Sequence, residues 1–537
     1  MSESESTGKP VVKWSPYVVG IDLGTSNSTA AIFVKGRAQV IPVDGKPMLP
    51  SVVRIRDDGD VQVGYPAKNA ILIDPENTVA SVKREMGNSE YAKEFAALPG
   101  KKYTATDIAA EILAKLKAGV EAAGTVDLRG SLRFAVICVP ANFEDTKKRA
   151  TLEAARLAGL EPLYLLEEPV AAAIAYAEGV KRDQKLLVYD LGGGTFDVSI
   201  LGVDSTGEDK AEFRVLAKEG IAQLGGDDFD YELMRLLATE LKTRSGVDVL
   251  DLQKDQGISR KVIRQAQQKL KEAAETAKLE LSQAETTQVI LPDIIKDESG
   301  NTHSLEADIT RPQFEHAITG LIGQSRTAME KALAAAKLGI DDISRIIFVG
   351  GSTNVPLVRT MVTEMFGKEP YLDPDPATTV ARGAAVFGAG LGLPTDKVPE
   401  TAEKRPEDAP DVAIHIENIV THFLGIEIAD QRFSTILDKG AEIAAEGLGQ
   451  EKEYGTQRDN QTELRITVYQ ASVECRNVRD EGCVCIGEFF LVGLPPRPKG
   501  QVRVIVRFEI NQQNVLKVTA RLKNETGPGG ELVITRN

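Results

Sequence analysis

The sequence predicts an α/β fold of two duplicated lobes followed by an all-β sandwich. Three observations predict it. Residues 186–201 read LLVYDLGGGTFDVSIL, a short apolar run, an acid, three glycines and a return to apolar alternation: strand, turn, strand. Residues 18–33, VVGIDLGTSNSTAAIF, repeat the Asp-Leu-Gly step after one apolar run and before another. Beyond a stretch at 394–410 rich in Pro, Glu, Lys and Asp, the hydrophobic period changes to two.

Each hairpin has a tip of glycine and hydroxyl residues. Glycine lets backbone approach a ligand closely and aim several N–H groups at it, which suits a polyphosphate. In the second copy Asp190 and Asp197 flank Gly192, Gly193 and Gly194. Carboxylates there would repel bare phosphate, so a divalent cation is expected, and Mg²⁺ fits oxygen ligands beside phosphate. An ordinary hairpin with a flexible tip accounts for either copy alone. Two copies together suggest one nucleotide held between two halves, the actin-like ATPase arrangement. No GxxxxGK[ST] loop is present, which excludes the P-loop class.

At 537 residues and 42% hydrophobic content the chain has material for more than one core. A net charge of −15 and a pI near 5.1 argue against nucleic-acid binding, which needs a basic footprint. No apolar run reaches the roughly 18 residues that a membrane span needs. The start, MSESESTGKP, lacks the apolar core of a signal peptide, and residues 1–15 are expected to be a disordered tail. Four cysteines are too few for a disulfide framework. A soluble cytoplasmic protein, likewise a monomer with no membrane partner, is the expectation.

The remaining elements follow in order. Residues 37–56 form strands around a Gly/Pro turn, and Lys83-Arg84 reads as surface charge. Residues 103–122 have helical spacing, 132–140 form a buried strand ending in proline, and 145–157 form a helix. At 165–176, LLEEPVAAAIAY, Glu168 and Pro169 open an alanine-rich helix, where proline and an acid in the first turn are both favourable. LGGDDFD at 224–230 opens another helix, as a cap or as a further phosphate approach through Gly225 and Gly226. Residues 260–282 are a long helix with Glu275, Lys278 and Ser282 on one face, by itself a solvated face. At 346–356 a buried strand meets Gly350, Gly351 and Ser352. Residues 379–393 are small, apolar and helical, so Gly388-Ala-Gly390 is no dinucleotide loop. Residues 394–417 are a linker and 418–537 the β domain, with 16–393 before them as the nucleotide-binding domain.

Taken together these motifs resemble the 70-kilodalton heat-shock chaperone family of the DnaK type. GIDLGTSNS, VPANFEDTKKRAT, EEPVAAAIAY, DLGGGTFDVS, LGGDDFD, EAAETAKLELS, VGGSTNVP and NIVTHFLGIEI with DNQTELRITVYQ fall in the family's order. The resemblance implies an ATPase coupled to protein folding, with ATP binding and hydrolysis gating affinity for unfolded polypeptide in a stress response. Asp22, Asp190 and Asp197 would arrange Mg²⁺ and its waters. Gly24, Thr25, Ser26, Gly192, Gly193, Gly194 and Thr195 would cradle phosphates. Lys83 would orient the attacking water, and Glu168 would help hold the metal–water network. Gly225, Gly226, Glu275, Lys278, Ser282, Gly350, Gly351, Ser352 and Asp375 would hold adenosine. ATP/ADP and Mg²⁺ are the implied cofactors, with K⁺ as a further cation. Extended apolar clients, a J-domain co-chaperone and a nucleotide-exchange factor are the implied partners.

Several positions depart from the family's pattern. Asn142 and Glu144 stand for its usual Tyr and Asn, Lys148 for an arginine that relays the proline switch, and Asn354 for an arginine that stacks on adenine. The segment between Lys83 and Tyr103 is short. The linker lacks the leucine-rich motif; in PDVAIHIEN, Val412, Ile414 and Ile416 remain able to dock as a strand, and Asn418 replaces an acid. These changes bear on interdomain coupling, so an ATP-binding adaptor is the alternative and a small-molecule kinase of the same fold a lesser one. In the β domain the groove is expected to include Ile426, Ala429, Tyr454, Gln457, Leu464, Ile466 and Val468, with sandwich core as their ordinary reading and some of them serving as both, and with Ala429 and Gln457 forming the groove's arch. No helical lid follows, so brief client binding is expected. Cys475, Cys483 and Cys485 flank a hairpin loop and read as ordinary strand and loop residues, with a redox switch or incomplete zinc site as alternatives.

Overall fold

The computed structural model describes residues 14–71, 73–177, 183–205, 210–251, 258–296, 300–391, 393, 413–444, 447–511, 515–523 and 530–533. Most of the expected N-terminal tail lies outside these residues. Trp14 already bridges Ser131, and Ser15 is buried, so the ordered fold begins two positions before residue 16.

Two sheets carry the duplicated plan. In the first, Val18–Asp22 pairs antiparallel with Asn27–Val34 on one side and parallel with Phe134–Val139 on the other. In the second, Gln184–Leu191 pairs antiparallel with Phe196–Ser205 and parallel with Arg345–Val349. Each glycine tip therefore sits at the carboxyl end of a central, fully covered strand. Such strands are near-continuously apolar because both faces are packed. Val188, Tyr189 and Leu191 are accordingly buried, as are Val19 and Ile21.

The sheets meet through two small-residue helices, Glu168–Ala177 and Thr379–Leu391. A Cβ on Gly383 would come within 1.7 Å of the Ala171 carbonyl oxygen, and one on Gly20 within 2.3 Å of the Ala385 nitrogen. Glycine and alanine are needed there for backbone contact between the lobes, and Gly388 lies inside the second helix. Around this centre, helices with clear end signals complete the lobes. Thr104 and Asp107 form a capping box at the start of Ala105–Ala122, and Thr310 and Gln313 do the same for Arg311–Ala336.

The linker expectation divides in two. Residues 394–412, Val412 among them, lie outside the described residues. The part at 413–417 is a strand: Ala413–Ile419 runs parallel to Lys210–Ile221, from Lys210 opposite Ala413 to Arg214 opposite Glu417. Ile414 and Ile416 pack onto the core between the lobes. Arg214 closes the pairing with Glu417 at 2.7 Å.

The β domain has two four-stranded sheets. One contains Arg432–Leu437, Phe423–Ile428, Glu463–Ala471 and Cys483–Val492; the other Leu448–Gly455, Arg503–Ile510, Leu516–Leu522 and Gly530–Val533. Ile426, Ile466 and Val468 belong to the sandwich core, Tyr454 and Leu464 pack against it, and Gln457 is exposed. This domain rests on the first lobe. Asp145 accepts the Leu516 N–H at 3.2 Å, and Arg149, ion-paired with Asp145, donates to the Leu516 carbonyl at 2.7 Å.

Candidate functional site

The two hairpin tips face each other across a cleft of about 610 Å³ between the lobes. Strand ends supply the floor: Asp22 closes Val18–Asp22, and Asp190 stands one residue before the end of Gln184–Leu191, directly opposite Asp197. Gly24, Thr25, Ser26, Gly192, Gly193 and Thr195 line the cleft. Gly194 lies just behind, where a Cβ would strike Arg84 at 2.7 Å, and one on Gly225 would strike Gly193 at 2.5 Å. The second tip is thus packed against the start of the helix Gly226–Ser245, and the Gly226 and Asp227 N–H groups donate to the carbonyls of Gly192 and Gly193.

Lys83 is buried, not a surface charge. It lies in the short helical turn Val82–Glu85, and its Nζ is 2.6 Å from Glu168 Oε1, whose helix begins there. Glu168 therefore serves both as a helix start and as the lysine's partner. Burial works against the Lys83 charge, but Glu168, Asp22 and Asp190 outweigh it and hold the ammonium above its ordinary range. The carboxylates move the other way. Burial first and Glu168 second push Asp22 and Asp197 up to about 7, while Asp190 goes well above the carboxylate range. Asp197 is partly relieved by the Asn142 backbone N–H.

One ammonium faces four carboxylates here. That excess of negative charge is what a divalent cation would offset, and the donors are all hard oxygens. Among the described residues no group of three or more ligating side chains stands close enough to hold an ion directly. This fits Mg²⁺, which keeps several waters and is shared with substrate phosphates. An Asp raised from 3.8 to about 7 binds more protons folded than unfolded, so stability falls as pH rises through that window. The nucleotide-free protein is expected to melt lower at about pH 8 than at about pH 5, and Mg²⁺–ADP to raise the melting temperature more at the higher pH. An equal rise at both pH values, followed by calorimetry, would count against these acids as the metal's surroundings.

The far wall is formed by the helix Arg260–Leu281 and the turn after Arg345–Val349. Glu275, Lys278, Ser282, Gly350, Gly351 and Ser352 all line it. Lys278 pairs with Asp230 at 2.8 Å and donates to the Gly226 carbonyl, while Ser352 donates to the Gly192 carbonyl at 2.9 Å. Gly350 has φ 82, and a Cβ there would meet the Leu191 carbonyl at 2.3 Å. Asp375 is not on the cleft wall; its neighbours Pro376 and Ala377 are, and its carbonyl accepts from the hydroxyls of Thr378 and Thr379. Asn354 also lines the cleft, and its amide donates to the Gly351 carbonyl.

The contacts that join the two walls of this site carry no local signal in the sequence. Arg84 reaches Asp228 at 3.1 Å, Ser26 and Ser81 donate to Asp227, and Lys68 pairs with Glu275 at 2.9 Å. All of these cross the cleft from one lobe to the other. Asp227 and Asp228 are legible as first-turn acids, but their partners come from 144 or more residues away.

Behind the floor lies a second buried pair. Lys218 and Glu167 side chains are each 1% exposed and 2.5 Å apart, and Asn418 of the docked strand joins both, accepting from Lys218 and donating to Glu167. With Glu167 supplying the acid, a neutral residue at 418 completes the set. Lys148 is buried nearby, with burial lowering its pKa against the pull of Glu167 and Asp145.

Residues 18–537 match the family described as Hsp70 protein. The DnaK chaperone proteins of Thermotoga neapolitana, Thermotoga petrophila and Thermotoga maritima are each 40% identical to the chain over 524 residues, 97% of this chain and 80% of theirs.

Proposed function

The chain belongs to the Hsp70 family, and from that premise we infer an ATP-dependent molecular chaperone, an ATPase whose turnover is coupled to protein folding. It binds ATP and ADP with Mg²⁺, and its clients are unfolded polypeptides. The single observation that carries the reading is the pair of Asp-Gly hairpins facing one cleft, with the buried Lys83–Glu168 pair on its floor.

The residue roles are our proposal. Gly24, Thr25, Ser26, Gly192, Gly193, Gly194 and Thr195 receive the phosphates through backbone N–H and hydroxyl groups. Mg²⁺, when bound, neutralises charge on the transferred phosphoryl group. Asp22, Asp190 and Asp197 would hold it through its waters, with K⁺ as a further cation. Lys83 orients the attacking water, and Glu168 fixes the lysine. Gly225, Gly226, Glu275, Lys278, Ser282, Gly350, Gly351 and Ser352 surround the adenosine, and Asp375 acts from behind the wall by holding the turn that carries Pro376 and Ala377. Residues 16–393 act as the nucleotide domain and 418–537 as the client domain. A J-domain protein and a nucleotide-exchange factor set the cycle's pace. No described helix is long and apolar enough to cross a membrane, and a cytoplasmic site of action is proposed.

Measuring ATP turnover with and without an unfolded peptide and a J-domain protein tests the reading. Stimulation by both is expected. Nucleotide binding with no stimulated turnover would make it an ATP-binding adaptor instead.

A further inference from the structure

The loop between the strands Glu463–Ala471 and Cys483–Val492 holds one cysteine, and the second strand opens with two more. Two of these three meet. Cys483 packs against the small buried cluster that holds Cys475, and Cys475 faces the Glu481 carbonyl at 3.9 Å. The strand register produces the meeting: Ala471 stands opposite Cys483, and the Ser472 N–H donates to the Gly482 carbonyl, so residues 472–482 fold back on themselves. Cys475 is buried in a small cluster with Phe433 and Ala471, Cys483 is half-buried, and Cys485 is exposed. No metal-holding group of side chains occurs among the described residues.

The same loop is fastened to the turn Ala429–Gln431. The Phe433 N–H donates to the Arg476 carbonyl, and the Val478 N–H to the Gln431 carbonyl, both at 2.9 Å. That turn contains Asp430 at φ 62 and Gln431 at φ 56, two successive left-handed residues without glycine's freedom. Backbone of this kind persists only where its surroundings hold it. The loop that carries Cys475 is a principal part of those surroundings.

We propose that Cys475 and Cys483 are a reversible disulfide site that fastens the rim of the client groove at Ala429. The consequence for clients rests on the groove reading above; the thiol chemistry does not. The oxidant is a low-molecular-weight disulfide. The Cys483 thiolate attacks one of its sulfurs and expels a first small thiolate. The Cys475 thiolate then attacks the Cys483 sulfur and expels the second. Two protein thiols lose two protons and two electrons, and one small disulfide becomes two thiols. Burial holds both thiols above their ordinary range, Cys483 at about 11, so oxidation is slow at neutral pH. Thiols of high pKa are also poor leaving groups, so the bond, once made, exchanges slowly.

The experiment treats the full chain with oxidised glutathione, blocks free thiols with iodoacetamide and maps the digest by mass spectrometry. A linked Cys475–Cys483 peptide, about 2 Da lighter than the two reduced pieces together, is expected. It should survive Cys485→Ser and vanish in Cys475→Ser. Alkylated Cys475 and Cys483 in the oxidised sample, or linkage through Cys485, would overturn the site. Release of a fluorescent apolar peptide is expected to slow on oxidation in the natural sequence and not in Cys475→Ser. Linkage with unchanged release would overturn the fastening. Failure to bind peptide in either redox state would sink the groove reading, and the mass result would still decide the disulfide.

Discussion

Lys83→Ala is expected to lower single-turnover ATP hydrolysis by about 10²–10³-fold, the usual cost of removing one preorganised electrostatic group. Phosphoryl transfer to water depends mainly on positioning and charge neutralisation, and Lys83 places its ammonium among Glu168, Asp22 and Asp190 on the cleft floor. Its 2.6 Å contact with Glu168 fixes it before substrate arrives. Asp197→Asn should fall in the same range, because it removes a floor carboxylate and keeps the side chain's shape. Quench-flow at saturating nucleotide separates chemistry from binding. Near-normal single-turnover rates in both variants would remove these residues from the chemistry.

Lys218→Ala is expected to destabilise the nucleotide lobes by about 3–5 kcal/mol, because it removes the ammonium paired at 2.5 Å with a Glu167 carboxylate that is only 1% exposed, and breaking a buried pair from one side costs about that much. Both partners are essentially inaccessible to water, so the remaining carboxylate has no solvent to turn to. Replacing both, Lys218→Met with Glu167→Leu, should recover most of the loss, as buried pairs exchanged for apolar residues of similar volume commonly do. Urea unfolding followed by circular dichroism reads both effects. A single variant within about 0.5 kcal/mol of the parent, the range of ordinary surface changes, would show that water reaches this pair. The same substitution removes the donor to Asn418, so it should also loosen the strand that joins the domains.

The two hairpins were legible because their chemistry is local. A phosphate cradle needs glycine, hydroxyl and acid within a few residues, and the buried strands on either side supply the apolar frame. The helices that ended as expected did so at local signals such as the Thr104–Asp107 box. Lys83 was harder. Val-Lys-Arg-Glu reads as surface charge, and only the packing of its turn against Glu168 buries it. Glu275 and Lys278 likewise look like a solvated face until Lys68 and Asp230 meet them. The contact between Asn418 and Glu167 is invisible for the same reason, since the two positions lie 251 residues apart and share no local pattern. The groove positions Ile426, Ile466 and Val468 show the opposite case. Period-two alternation marks them as inward-facing, and inward-facing in a sandwich means core.

The docked strand Ala413–Ile419 covers part of the margin of a seven-stranded sheet. Whenever that strand leaves, residues 210–214 become a bare edge with unpaired N–H and C=O groups, a template on which another chain can add itself. The sequence there, Lys-Ala-Glu-Phe-Arg, sets a charge at every second position. Charges on an edge strand are a common guard against such self-association. The segment that receives the linker is therefore also written to remain unsociable while it waits for the linker's return.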